Sequence, residues 1–197
     1  MTKVAICNFA LARCGISEFI ADIDEDTTEA KLCKQFYDTV LDAALVAFDW
    51  PFARKRAALD LDSVDPPDEW GYQYLLPPDV LRARFIADAL KVRRTDQRIP
   101  FKLESSNGAT RLLTDYEDPT LVYTYRITDP SKFPVAFSLY LGWALASLIV
   151  FPLTKKQSLE KYISEKASFA LGAALSTAYN EEQHPEPPES EFIAARD

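Results

Sequence analysis

Residues 28–53, TEAKLCKQFYDTVLDAALVAFDWPFA, decide the fold. Cys33, Phe36, Tyr37, Val40, Leu41, Ala44, Leu45 and Phe48 recur at intervals of three and four, which gathers them on one face of an α-helix. Asp26 and Glu29 stand three apart ahead of this run, the spacing of a capping box, and set the helix near 28–48. Pro51 stops it, because proline supplies no backbone donor and drives Trp50 into extended geometry. Trp50 and Phe52 are then placed to fold back onto the apolar face. Upstream, Thr2 stands as a cap for Val4, Cys7, Leu11 and Cys14, and Gly15 as a stop, giving a helix near 3–14. An acidic loop, Glu18 to Asp26, joins the two.

Downstream the texture changes. From Arg54 to Asp129, short runs rich in Val, Ile, Tyr and Phe are broken by Pro66-Pro67, Pro77-Pro78, Asn107-Gly108 and Asp118-Pro119, which are strand and turn signals. The clearest is a hairpin of Phe101 to Glu104 and Thr110 to Thr114 about Asn107-Gly108, a dipeptide that tolerates positive φ. Leu121 to Ile127 reads as a further strand. Helical periodicity resumes at Pro130, so residues 54–129 form an insertion, β-rich near 55–128, inside a helical frame of 1–53 and 130–180.

The segment Val135 to Leu153 carries no charge and approaches the ~20 residues that cross a bilayer. Ser138, Tyr140, Gly142 and Ser147 interrupt it, and lysines flank both ends instead of one. The reading adopted is a helix near 131–151 that ends at Pro152 and is buried all round, one face on its own core and another on a neighbouring subunit. Thr154 and Gln157 offer capping-box spacing for a last helix near 155–179. Its second half is rich in Ala, Gly and Ser, which suits close packing on the apolar helix, although alanine's helix propensity explains the same residues. Residues 181–197 are acidic and proline-rich, a composition expected to form a flexible, extended tail. The tail nevertheless holds Phe192 and Ile193, with Arg196 close by. These are candidate anchors of a docking peptide that orders on a partner by strand addition or by seating Phe192 in a groove. A frayed terminus is the ordinary alternative. The expected class is therefore α+β, mainly α: a four-helix frame with a β-rich insertion, one domain over 1–180, and a docking tail.

Composition bounds the function. At 197 residues with 48% hydrophobic and 12% aromatic content, the chain can bury one sizeable core and is not globally disordered. A formal net charge of −8 argues against a dedicated nucleic-acid binder, which needs a basic face for phosphates. Cys7, Cys14 and Cys33 are odd in number and lie on apolar helix faces, so they read as reduced, buried thiols. The opening residues lack a charged n-region followed by an apolar h-region, and synthesis in a host cytoplasm is expected. His184, the only histidine, falls in the tail and leaves no material for a Ser-His-Asp triad or a histidine-rich metal site. The cysteines lack CxxC pairs, and five glycines with no P-loop or G-x-G-x-x-G offer no phosphate cradle. No catalytic residue, metal or cofactor is assigned. Thirty acidic residues still leave a carboxylate pair open to a hydrolase. Asp60 with Asp62, and Asp22, Asp24 and Asp26, alternate as solvated turns and strand faces ordinarily do.

Basic residues cluster at Arg54, Lys55 and Arg56, then at Arg82, Arg84, Lys91, Arg93, Arg94 and Arg98, while acids concentrate in the first loop and the tail. Solvated surface accounts for any one cluster. A polarised subunit also suits assembly of acidic on basic faces, and Arg82, Arg84, Arg93 and Arg94 are candidates for a band past which DNA moves without base recognition.

Asn8, Leu11, Gly15, Ala30, Cys33, Tyr37, Val40 and Leu45, leading to Trp50-Pro51-Phe52-Ala53, are joined in order by Tyr74 to Pro77 before Asp79 and by Pro134 to Ala146. This pattern resembles the head-to-tail adaptor, or connector, proteins of short-tailed phages, the tail tubular protein A-like family. The resemblance covers the helical frame; the β insertion and the tail depart from it. It implies a structural protein of the virion head-tail junction and not an enzyme. In this family a helical bundle with a β-rich insertion forms a homo-oligomeric ring, dodecameric where it matches the portal protein. The ring docks beneath the portal, receives the distal tail or nozzle protein, and lets DNA pass during ejection, with no membrane partner. Trp50 and Phe52 are candidate contacts to the portal or a neighbouring subunit if partly exposed; otherwise Trp50 is core. The alternatives are a tail-associated carboxylate hydrolase acting on cell wall, and a small membrane-associated protein held through 135–153.

Overall fold

The computed structural model describes residues 1–87, 98–106 and 108–181, in a mixed α+β fold that is mainly α. Helix α1 (Lys3–Arg13) is capped by Thr2, whose Oγ1 accepts the Ala5 N–H at 3.1 Å. Gly15, at φ 77°, ends it: the Ile16 N–H donates to the Leu11 carbonyl and the Gly15 N–H to that of Ala12, both at 3.1 Å, the paired bonds of a Schellman stop. Asn8 then ties the acidic loop down. Its Nδ2 donates to the Ile20 carbonyl and its Oδ1 accepts the Ile20 N–H, both at 2.9 Å, which plugs Ile20 into the core.

Helix α2 (Thr28–Ala47) is capped by Thr27, not Asp26. Thr27 is the extended residue immediately before the first helical turn, and its Oγ1 reaches the Ala30 N–H at 3.2 Å. Asp26 lies one residue too far out and pairs with Lys31 instead. After Phe48 the chain bends through Trp50 into a 3-10 turn, Pro51–Ala53.

The insertion carries β1 (Arg54–Ala58), β2 (Tyr72–Leu75), β3 (Val80–Ala87), β4 (Lys102–Ser106), β5 (Ala109–Thr114) and β6 (Thr120–Tyr125). They pair as two antiparallel sheets, ordered β1-β6-β3 and β2-β5-β4. Ile86, Leu121 and Tyr123 of the first sheet meet Tyr74 and Leu112 of the second in a core of their own. The expected hairpin is present: Ser106 pairs with Ala109 across a two-residue loop in which Gly108 has φ 77°; Asn107 lies outside the described residues. Strand β6 ends at Tyr125, two residues early, because Ile127 turns into the helical core.

Helix α3 (Val135–Thr154) starts later than 131, since Pro130–Lys132 forms a 3-10 turn in which Asp129 accepts the Ser131 N–H at 3.0 Å. It also runs through Pro152 instead of ending there. The only bond a proline removes at that point is the one to Leu148, on an outward side, and the helix closes at Lys155, at φ 57°, whose N–H donates to the Phe151 carbonyl at 2.9 Å. Thr154 belongs to this closure, its Oγ1 donating to the Val150 carbonyl and accepting the Lys156 N–H, so it does not open the next helix. Helix α4 (Gln157–Glu181) runs two residues beyond 179.

Helix α3 packs against α1, α2 and α4 through residues such as Leu141, Leu145, Ala146 and Ile149. Within the single subunit it is covered only in part: Val135, Leu139, Leu148 and Phe151 face outward. By length and composition it could cross a membrane, with 44% of its apolar window buried inside the molecule. At Gly142 it lies so near α1 that a Cβ would stand 2.5 Å from Phe9 Cδ1. Of the small residues in α4, Ala174 and Ala178 are buried, whereas Gly172 has nothing within 4 Å of a built Cβ. Cys7, Cys14 and Cys33 are free and buried. Burial pushes the Cys14 thiol up to about 12, and contact with Cys33 together with burial holds Cys7 well above the ordinary thiol range.

Candidate functional site

The aromatic corner is a keystone and not an exposed anchor. Trp50 is 1% exposed, and its indole N–H donates to the Ala44 carbonyl at 2.8 Å in the last turn of α2. Its ring meets Phe137 of α3 at 5.1 Å and 75°, and Phe48 at 5.3 Å and 74°. That corrects its candidacy as a docking residue and leaves the core reading. Phe52 is half-buried, 4.9 Å from the Phe137 ring. The crevice beside this corner, closed by Ala174 and Ala178 of α4, has a volume of about 10 Å³, room for one water and for no side chain.

The proposed DNA band divides. Register slips in the β3–β6 ladder leave Leu81 and Arg84 unpaired, and a bulge of this kind re-aims its extra residue. Arg84 is aimed inward, with its side chain 11% exposed. Its Nε donates to Thr124 Oγ1 at 2.8 Å, and its Nη2 to the carbonyls of Leu45 and Val46, each at 3.2 Å, and of Phe48. Arg82 is exposed and adds a bond from Nη1 to Val46 at 3.0 Å. A helix leaves its last carbonyls without intrahelical donors, and α2 has no basic residue in its own last turn, so two arginines from a distant strand supply the charge and the donors. Arg84 is thereby corrected from a band residue to a clamp on α2. Arg93 and Arg94 lie outside the described residues, as do Phe192, Ile193 and Arg196.

Other charges of the insertion are paired within the molecule. Arg54 holds Asp49 through two contacts at 3.0 Å, and Arg126 donates to Asp42 at 2.7 Å. Lys55 reaches Asp79 at 2.6 Å, and the Tyr123 hydroxyl donates to the same carboxylate at 2.9 Å, so Lys55 and then Tyr123 hold Asp79 below the usual carboxylate range. Burial pushes Tyr123 itself up to about 12. A groove of about 280 Å³ is lined by Val64 to Pro67, Gln73, Glu104 and Arg111. Arg111 is bound there to Asp62, which also accepts from Gln73 at 3.1 Å; Arg111 first of all keeps Asp62 ionised below its ordinary range. Asp24 and Asp129 shift the same way, through Lys34 and Ser131. A general acid needs the opposite shift.

Sequence reasoning did not say which apolar side chains stay exposed. Phe169 of α4 is 78% exposed and Val135 of α3 72%, with Tyr162, Leu148 and Phe151 also outward. The periodicity of a helix apolar on every side does not say which side stays open. The only signal was the alternation of Phe169 with Gly172, Ala173 and Ser176, too small to form a core by themselves. No family model matches this chain, and no curated protein matches it.

Proposed function

We propose that the protein is the subunit of a head-to-tail adaptor ring at a virion junction, docking beneath a portal and offering a platform for the distal tail. One observation carries the reading. The residues on which the resemblance rests are those that lock the frame: Asn8 pins the loop, Gly15 closes α1, Trp50 joins α2 to α3. The order helix pair, aromatic corner, β insertion, helix pair is also the one the resemblance implies. A ring needs two different complementary patches per subunit, and the outward apolar residues of α3 and α4 are material for one. Arg82, together with Arg93 and Arg94, remains the basic band for passing DNA.

The test is the mass of the purified protein by light scattering coupled to size exclusion, alone and after mixing with portal rings. A portal-dependent rise to ring mass is expected; a monomer that ignores the portal overturns the proposal. Val135→Glu, at an outward position, should prevent ring formation while leaving the circular dichroism of the monomer unchanged. An intact mutant ring would remove α3 from the interface.

A further inference from the structure

Arg13, in the last turn of α1, lays its guanidinium 4.6 Å from the Phe9 ring centroid and 5.2 Å from that of Trp143. The two rings stand edge-on to each other at 5.9 Å and 86°. Both are half-buried, whereas Arg13 is exposed. Among the described residues its N–H donors meet no hydrogen-bond acceptor and no carboxylate. A cation at a helix C-terminus suits the dipole, but that does not explain a fork pinned on two rings. Stacked in this way, the planar fork is pre-organised to take a carboxylate through two parallel bonds.

The loop that leaves α1 carries such a carboxylate. Asn8 grips both the amide and the carbonyl of Ile20 and turns its side chain into the core, so the preceding Phe19 is thrown outward and is 60% exposed. Glu18 beside it is exposed too, and among the described residues neither makes a hydrogen bond, an ion pair or a ring contact. Asn8 and Phe9 are consecutive, which sets the loop and the stacked arginine side by side on α1. Next to them, Leu139 and Trp143 stand one turn apart on α3, a helix with no charged residue. A cation, an acid, an outward ring and apolar ground for that ring thus share one patch, and the ion pair is not made within the subunit.

We propose that two copies of this chain pair through the patch about a two-fold axis. Glu18 of each subunit takes Arg13 of the other, and Phe19 of each lies on Leu139 and Trp143 of the other. A surface that holds both members of a complementary pair is self-complementary, and a two-fold contact makes every such pair twice. Trp, Phe and Arg are also the side chains that anchor protein interfaces. The contact closes at two subunits and cannot itself build a ring, so it goes beyond the adaptor reading.

The test is sedimentation equilibrium of the full-length chain without portal, over a wide dilution series. The parent should reach the mass of two subunits and dissociate as salt is raised. Arg13→Glu and Glu18→Arg each set like charges together in both pairs and should weaken pairing about a hundredfold. Mixed in equal amounts, the two variants should pair again and stop at two subunits, because opposite charges then face each other in both pairs. Phe19→Ser should weaken pairing about tenfold. All three positions are exposed, so circular dichroism should stay that of the parent. A parent that remains monomeric overturns the proposal, as do single reversals that pair like the parent. So does a mixture that stays monomeric, or one that grows beyond two subunits, the mark of a head-to-tail contact. Pairing is read without portal and ring formation with it, so either reading can fail without the other.

Discussion

Replacing Arg84 with methionine keeps the aliphatic stem and removes the donors that close α2. The guanidinium serves Thr124 Oγ1 and the carbonyls of Leu45, Val46 and Phe48. A bond from a charged donor is worth about 1.5–3 kcal/mol net, and one Nη2 group with two protons facing three carbonyls counts as two bonds, not three. Burial of the guanidinium, which lowers its affinity for the proton, offsets about one of them. The remainder is about 3 kcal/mol at the lower value per bond. With a urea slope of about 2–3 kcal/mol per molar, Arg84→Met should move the unfolding midpoint down by about 1–1.5 M. Arg84→Lys keeps the charge but not the planar fork and should lose about half as much. The readout is urea unfolding followed by circular dichroism for the helices and tyrosine fluorescence for the sheets. A shift of under about 0.3 M, with DNA passage impaired, would refute the clamp and return Arg84 to the basic band.

Asn8→Ala removes both bonds to Ile20 and should cost about 2 kcal/mol, with the Ile20 amide losing its hydrogen-exchange protection; retained protection would contradict the pin. Two glycines on neighbouring helices should respond with opposite signs. At Gly142 a methyl collides with a Phe9 ring held edge-on to Trp143 at 5.9 Å and under Arg13 at 4.6 Å, so Gly142→Ala should lose about 1 kcal/mol after its helix-propensity gain. Gly172→Ala, in open space, should gain up to about 1 kcal/mol, and thermal melts of the pair decide it. For pH, Arg111 lowers Asp62 and Lys55 lowers Asp79 in the folded state. Their contribution is therefore complete above the unfolded carboxyl value of about 4 and is lost as pH falls below it through the folded values. Denaturant midpoints of Asp62→Asn, Asp79→Asn should flatten below about pH 4 relative to the parent, and parallel profiles would count against both pairs.

Local signals were legible where the chain's own neighbours decide geometry. Gly15, the 107–108 hairpin and Pro51 each act within a few residues, and each landed where its spacing placed it. The α2 cap slipped by one because Asp26 and Thr27 compete for one helical turn, and only the dihedrals of Thr27 choose between them. Pro152 was misread as a terminator because the cost of a lost donor depends on where the freed carbonyl points, which spacing does not record. The arginines were the largest miss. Nothing in the local sequence says that a bulge in β3 carries Arg84 to the end of a helix some forty residues earlier, so a charge run looked like surface.

The thiol of Cys14, which follows α1, donates to the carbonyl of Ala146, 132 residues later, at 3.7 Å. Translation runs at about 5–20 residues per second, so Cys14 waits roughly 7–26 s for the carbonyl that accepts its bond. For that interval the nascent chain lacks the helix against which Cys14 is buried, while the β insertion is being made. Chaperone capture and thiol oxidation compete with folding in that window, and a slower ribosome widens it. Yield in the cell is then set by the timing of α3 as well as by the stability of the finished fold.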